Sequence, residues 1–223
     1  MNRSLVPILI RKDLQMTWPY PVIATLVGCG ALSLFYFGSS AIAISGIVAY
    51  FIVLVLLGIL PMTLIVNERK KQTLAFVMSL PVTAAQYGFA KLAAALGMFV
   101  VPWLMLVGLA LTLIVSRADI PNGLIPLGVV LMLLPLVGFL LMTSVAVVSE
   151  SEAVSVATMG AMNVSYSFVW VAITATPGLT RDAGGSVAVW NETILFVLGL
   201  ELAAIALVLG LTLYLQSRKR NFV

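Results

Sequence analysis

Long stretches almost free of charge constrain the fold of this chain most. Six apolar segments of 20 to 25 residues contain one charged residue among them, Glu201. A transmembrane helix needs about 20 predominantly apolar residues, because about 30 Å of hydrocarbon is crossed at 1.5 Å per residue. We therefore predict an all-α, polytopic membrane protein with six transmembrane helices, folded as a single domain over residues 1–223. The predicted spans are Trp18–Phe37, Ile44–Val66, Leu92–Val115, Leu124–Val148, Val154–Ala175 and Thr193–Leu215.

The composition agrees with this class. Hydrophobic residues make up 62% of the chain and the mean hydropathy is +1.16, whereas soluble domains are about 45–50% apolar. The start of the sequence, MNRSLVPILIRKD, interrupts its short apolar run with charge and lacks a small-residue cleavage site. We therefore expect no cleaved signal peptide, and we interpret residues 1–17 as an amphipathic segment that leads into the first span.

The distribution of Lys and Arg predicts the orientation, because cytoplasmic loops of membrane proteins are enriched in these residues. With the N-terminus in the cytoplasm, ten of the 12 basic residues fall on the cytoplasmic side and only Arg117 and Arg181 fall outside. Both termini are then cytoplasmic. The net charge of +4 reflects this topology, and we predict no nucleic-acid partner, since no basic face on a soluble surface is present.

One internal connection concentrates the charge. The stretch NERKKQTLAFVMSLPVTAAQYGFAK, Asn67 to Lys91, joins spans two and three on the predicted cytoplasmic side. Its first half indicates a helix with a charged beginning and an apolar end, and Pro81 ends that helix because proline lacks an N–H. Thr83 and Gln86 have the spacing of a capping box, so the third long helix is predicted to start near Ala84 and to carry Lys91 close to the membrane surface.

This stretch resembles the signature of ABC-2 type permeases, the membrane subunits of a class of ATP-binding cassette exporters. The matching residues are Glu68, Arg69, Thr73, Ser79, Leu80, Pro81, Val82 and Lys91, while Gln72 stands where the family has Gly. The segment LIRKDLQMTW, Leu9 to Trp18, resembles the amphipathic segment before the first span of that family. Six spans, internal termini and a length a little over 200 residues are also typical of it.

The resemblance implies a function and a set of partners. Residues 67–83 would form the coupling segment that docks on a separate ATPase subunit. The assembly would contain two ATPases and two permeases, as a homodimer or with a sister permease, in the plasma membrane of a prokaryote. The chain would export an amphipathic drug, lipid or peptide among membrane lipids. The coupling residues would be Glu68, Arg69, Lys70, Lys71, Thr73, Leu74, Phe76, Val77, Met78, Ser79, Leu80 and Pro81.

Absent motifs narrow the chemistry of the chain. A P-loop requires a Gly-Lys pair for its phosphates, and no such pair occurs in the sequence. We therefore expect ATP and Mg to bind in the partner subunit and this chain to need no cofactor. Histidine is absent, which excludes His-dependent zinc sites and Ser–His dyads. We predict neither a metal site nor an enzymatic activity for this chain.

Glu201 is the one acid deep in a predicted span. An ionised group there costs about 2.5–3.5 kcal/mol, so it should face protein or a water-filled cavity. One hypothesis places it in the translocation path with Asn163 and Tyr166. The other holds that it is protonated, or hydrogen-bonded to Asn163, Ser165 or Tyr166.

Two other functions stay open at this stage. An ion-coupled secondary transporter usually has several ionisable groups at mid-membrane and often has inverted repeats, and neither feature is evident here. A non-transporting membrane scaffold or regulator is compatible with the same sequence. A neighbouring gene for an ATPase would favour the exporter.

Overall fold

The computed structural model describes residues 5–37, 40–70, 84–149 and 151–218, with side chains except at positions 35, 40–43, 60–70, 84, 85 and 174. Within this part of the chain the elements are helices, and no strand occurs there. The helices are α1 (Leu5–Thr17), α2 (Pro19–Phe37), α3 (Ser40–Lys70), α4 (Ala84–Ser116), α5 (Leu124–Ser149), α6 (Glu152–Ala175), α7 (Pro177–Thr180) and α8 (Glu192–Arg218).

The long helices have the dimensions of membrane spans. Among the described residues, four helices are long and apolar enough to cross a bilayer: Gln86–Ser116, Leu124–Ser149, Glu152–Ile173 and Glu192–Arg218. A fifth is obtained if α1 and α2, which meet at a bend of 52°, are counted as one broken span. In α3, the part whose side chains are described contains a further apolar helical stretch, Ile44–Ile59. The all-helical prediction is thus confirmed for the described residues, where four helices, or five if the bent pair forms one span, are long and apolar enough to cross a membrane.

The bend between α1 and α2 lies at Trp18, and α2 begins at Pro19 with its axis at 52° to that of α1. Proline fits the first turn of a helix because its missing N–H has no partner there. The amphipathic N-terminal segment is therefore a helix of its own. At the other end of the second apolar stretch, α3 continues to Lys70, so the charged residues Glu68 and Arg69 extend this long helix.

The core of the bundle surrounds α5, which packs against α3, α4, α6 and α8. Phe99 of α4 stacks on Phe139 of α5 with ring centroids 4.2 Å apart, and both rings are fully buried. Trp103, one turn further along α4, donates its indole N–H to the carbonyl of Met132 at 2.9 Å. Gly28 of α2 permits close approach of α4, since a Cβ on it would lie 2.7 Å from Cδ2 of Leu106.

Polar side chains close one end of the bundle, where α7 meets the start of α8. Asn191 accepts a hydrogen bond from the N–H of Ile194 at 2.9 Å and thereby caps α8. Its amide donates to the carbonyl of Gly178 at 2.8 Å and to Asp182 at 3.0 Å. Asn191 therefore joins Gly178, Asp182 and the first turn of α8 at this end of the bundle.

Candidate functional site

The site with the most buried polar contacts lies at the end of the bundle where α4 begins and α8 ends. We call this the linker end, and we call residues 84–98 the root of α4. The helix α1 runs parallel to this root. Leu9, Tyr87 and Ala90 form a buried cluster there. Further along, Gly97 faces Leu14, since a Cβ added at position 97 would lie 3.7 Å from Cδ2 of Leu14.

A buried ion pair joins α1 to the root of α4. Nζ of Lys91 lies 2.6 Å from Oδ2 of Asp13, and the two side chains are only 6% and 9% exposed. The ammonium group also lies 5.5 Å from the centroid of the Tyr87 ring. Breaking a buried ion pair by removing one partner typically costs about 3–5 kcal/mol. The pair therefore fixes α1 on α4.

The periodicity of α1 explains how it presents Asp13. Leu9, Asp13 and Thr17 are the buried residues of α1 and are four residues apart, so they share one face of the helix. Thr17 donates its hydroxyl hydrogen to the carbonyl of Asp13 at 2.6 Å, and its side chain lies against Met98 of α4. The opposite face is exposed, with Arg11 among its residues.

A second contact holds the root of α4 from the side of α5 and α8. The buried amide of Gln216 in α8 donates to the carbonyl of Val147 in α5 at 3.0 Å. The carbonyl oxygen of the same amide group lies over Gly88 of α4, where an added Cβ would be 2.7 Å from Oε1 of Gln216. Three helices therefore meet at one amide group, and glycine at position 88 leaves the space for it.

The predicted coupling residues lie outside or at the margin of the described part. Glu68, Arg69 and Lys70 are in the last turn of α3, and their side chains are not described. Lys71, Thr73, Leu74, Phe76, Val77, Met78, Ser79, Leu80 and Pro81 lie outside the described residues. Lys91, the last residue of the motif, is the one whose surroundings the structure gives.

Asn163 and Tyr166, two of the three residues predicted for a translocation path, lie together at mid-bundle. They line a mainly apolar cavity of about 650 Å³ between α3, α5 and α6, which we call the mid-bundle groove. The hydroxyl of Tyr166 covers Gly138 of α5, where any Cβ would overlap it. The amide of Asn163 donates to the carbonyl of Met159, 2.9 Å away and one turn back.

Glu201, the third predicted residue, is not among the residues that line this groove. It is buried on the face of α8 that also carries Ile194, Thr212 and Gln216, a face directed toward α5. Neither carboxylate oxygen has a hydrogen-bond partner among the described residues. Of the alternatives for Glu201, a hydrogen bond to Asn163, Ser165 or Tyr166 is not present among the described residues.

An exposed ion pair lies in the turn after α4, at the end of the bundle opposite the linker end. The guanidinium of Arg117 contacts the carboxylate of Asp119 and donates to the carbonyl of Tyr36 at 2.5 Å. The hydrogen bond from Arg117 lowers the pKa of Asp119, and the same bond raises the pKa of Arg117. This pair ties the end of α2 to the turn that follows α4.

No protein-family model, no curated protein and no solved structure matches this chain. Its function is therefore inferred from the site and from the sequence motif.

The sequence indicated Lys91 but missed its partner Asp13, and it missed the contact between Gly88 and Gln216. A signal for Asp13 was present, since it is the one acid in an apolar helix face with Leu9 and Thr17. Nothing in the local pattern marked Gln216 or Gly88, which are 128 residues apart in sequence. Together these contacts can transmit a force applied at the start of α4 to α1, α5 and α8.

Proposed function

We propose that this chain is the membrane-spanning permease subunit of an ATP-binding cassette exporter of the ABC-2 type. In this proposal α2 and α3 supply the first two of six spans, both termini are cytoplasmic, and the linker end faces the cytoplasm of a prokaryotic cell. A separate ATPase, present in two copies, binds ATP and Mg and docks on residues 67–83. A second permease, identical or related, completes the assembly.

The observation that supports the proposal best is the fixation of the α4 root on two sides. A motor in water can move a membrane helix only through an element that is tied to the rest of the bundle. The pair Asp13–Lys91 ties the root to α1, and Gln216 ties it to α5 and α8. The charged stretch with the ABC-2 signature ends on this root, at Lys91.

The mid-bundle groove suits an amphipathic substrate. Its volume of about 650 Å³ is within the range of about 300–1,000 Å³ for small-molecule sites. Its lining is apolar and aromatic except for Asn163, Tyr166 and Ser167. An uncharged substrate with one hydrogen-bonding end would match this lining. Glu201 would not contact such a substrate, because it lies outside the groove, at the contact between α5 and α8.

One observation favours a second function. Glu201 is a buried carboxyl group in a predicted span, with no hydrogen-bond partner among the described residues. Ionisable residues at such positions often bind the coupling ion of secondary transporters. An ion-coupled transporter would use Glu201, whereas the exporter does not require it.

The test is transport by the purified chain reconstituted in lipid vesicles with the ATPase encoded next to it. The exporter predicts co-purification of the two proteins and uptake into inside-out vesicles that requires ATP. Reversing three charges, Arg69→Glu, Lys70→Glu and Lys71→Glu, should abolish both. The matched control reverses Arg218, Lys219 and Arg220, which changes the same number of charges at the other cytoplasmic segment.

Three results would argue against the proposal. Intact docking and transport after reversal at Arg69–Lys71 would exclude coupling through this segment. Uptake driven by a proton or sodium gradient without ATP, and lost in Glu201→Gln, would favour the ion-coupled transporter. Absence of any transport, together with stable binding to another membrane protein, would favour the scaffold.

A further inference from the structure

The contact between α1 and α4 has the properties of a coupling element. It extends over about two turns of α1 and about three turns of α4, from Leu9 beside Tyr87, through Asp13 and Lys91, to Thr17 beside Met98. The two helices run in parallel along this length. Asp13 and Lys91 are both buried, and their charged atoms are 2.6 Å apart.

A buried ion pair is a poor source of net stability but a strong determinant of register. Replacing both partners by apolar groups is often neutral or stabilising, because the desolvation penalty disappears with the charges. A slip of α1 by one turn along α4 would move Asp13 about 5.4 Å away from Lys91 and break this buried ion pair. The pair therefore selects one axial position of α1 on α4.

The position of α1 bears directly on α2. Only Trp18 stands between the two helices, and they meet at 52°. The exposed apolar side chains of α1 include Ile8 and Met16, at 60% and 69% exposure, as expected for a helix lying on a membrane surface. A movement of the α4 root that carries α1 along would act on α2 through this bend at Trp18.

We infer that α1 and the root of α4 move as one body, locked in register by Asp13 and Lys91, and that this body passes the motion of the ATPase to α2. This inference rests on the proposed function for the source of the motion. The locking itself does not, because it is a property of the permease alone. Asp13 is then a positioning residue for transport.

The locking is tested on the permease by distance measurements between spin labels. Labels on two exposed positions, Gln15 of α1 and Phe89 of α4, are introduced after replacing Cys29 by Ser. The wild-type background should give one narrow distance, and Asp13→Asn should broaden it. The exchange Asp13→Lys with Lys91→Asp should restore the narrow distance, and Arg11→Gln, an exposed charge on the same helix, should leave it unchanged.

The transmission of motion from the ATPase to α2 is tested with the ATPase bound. The measured quantity is the ratio of substrate transported to ATP hydrolysed. We expect Asp13→Asn to lower this ratio at least tenfold while the ATPase still co-purifies, and the charge exchange to restore it. The apolar pair Asp13→Leu with Lys91→Met tests the register independently of stability. It should remain folded but have the low ratio, because α1 is free to slide.

The outcomes separate the two proposals. A wild-type protein without ATP-driven transport would refute the exporter, and the label distances would still test the locking. A wild-type protein that transports, with Asp13→Asn or the apolar pair equally well coupled, would refute the inference alone. An unbroadened label distance in Asp13→Asn, or a distance that changes between nucleotide states in the wild type, would also refute it.

Discussion

Substitution of Gly88 by alanine tests the contact of α4 with α8 most directly. A Cβ at position 88 would lie 2.7 Å from Oε1 and 2.9 Å from Cδ of Gln216. The amide of Gln216 is buried and bonded to the carbonyl of Val147 at 3.0 Å. The new methyl group would force this side chain to move and to give up the bond.

The expected change in the free energy of unfolding is the difference between two contributions, the higher helix propensity of alanine and the loss of the hydrogen bond of Gln216. Replacing glycine by alanine within a helix stabilises it by about 1 kcal/mol. Leaving a buried polar group unpaired costs about 1–3 kcal/mol. We therefore expect Gly88→Ala to lower the free energy of unfolding by about 0–2 kcal/mol. After Gln216→Ala the second term is absent, and the same substitution should raise that free energy by about 1 kcal/mol.

The assay is reversible unfolding of the four proteins of this double-mutant cycle in the same detergent. Gly108 of α4 is the matched control, since a Cβ there would meet nothing within 4 Å. Gly108→Ala should therefore be equally stabilising in both backgrounds. If Gly88→Ala behaved like Gly108→Ala with Gln216 present, the packing of Gln216 on Gly88 would be refuted.

Three further outcomes are expected. Trp103→Phe should lower the free energy of unfolding by about 1–2 kcal/mol, because the carbonyl of Met132 loses its indole donor; thermal unfolding measures this, and an unchanged midpoint would contradict it. The pKa of Asp119 is lowered by its bond to Arg117, so this carboxylate stabilises the fold above the ordinary pKa of Asp and ceases to do so as the pH falls through the lowered value. The difference in unfolding temperature between wild type and Asp119→Asn should accordingly vanish in acid, and a difference that persisted there would exclude the ion pair as its source. Glu201→Gln should not lower the unfolding temperature, because no described hydrogen bond is lost; a clear decrease would reveal a partner for the carboxylate.

Two separate contacts hold the root of α4 at the linker end. The pair Asp13–Lys91 attaches α1 to one side of the α4 root, and Gln216 attaches α5 and α8 to the root at Gly88. Loss of one contact leaves the other, since they share no side chain.

The sequence by itself determined that the chain is helical and where its long helices lie. The thickness of the hydrocarbon layer sets the length of an apolar segment, and charge or proline ends it. This physics is local, so the helices Leu124–Ser149 and Glu192–Arg218 follow the predicted spans within a few residues. The length of the apolar segment does not predict the bend before Pro19, where an amphipathic helix and an apolar helix meet at 52°.

Only the tertiary structure decided which side chains meet. In a membrane both faces of a helix can be apolar, so the hydrophobic pattern does not encode how the helix is rotated about its axis. That rotation pairs Asp13 with Lys91, which is 78 residues away, and directs Glu201 toward α5, apart from the groove that holds Asn163 and Tyr166. Burial of the polar groups at the linker end comes from this packing, which no short stretch of sequence contains.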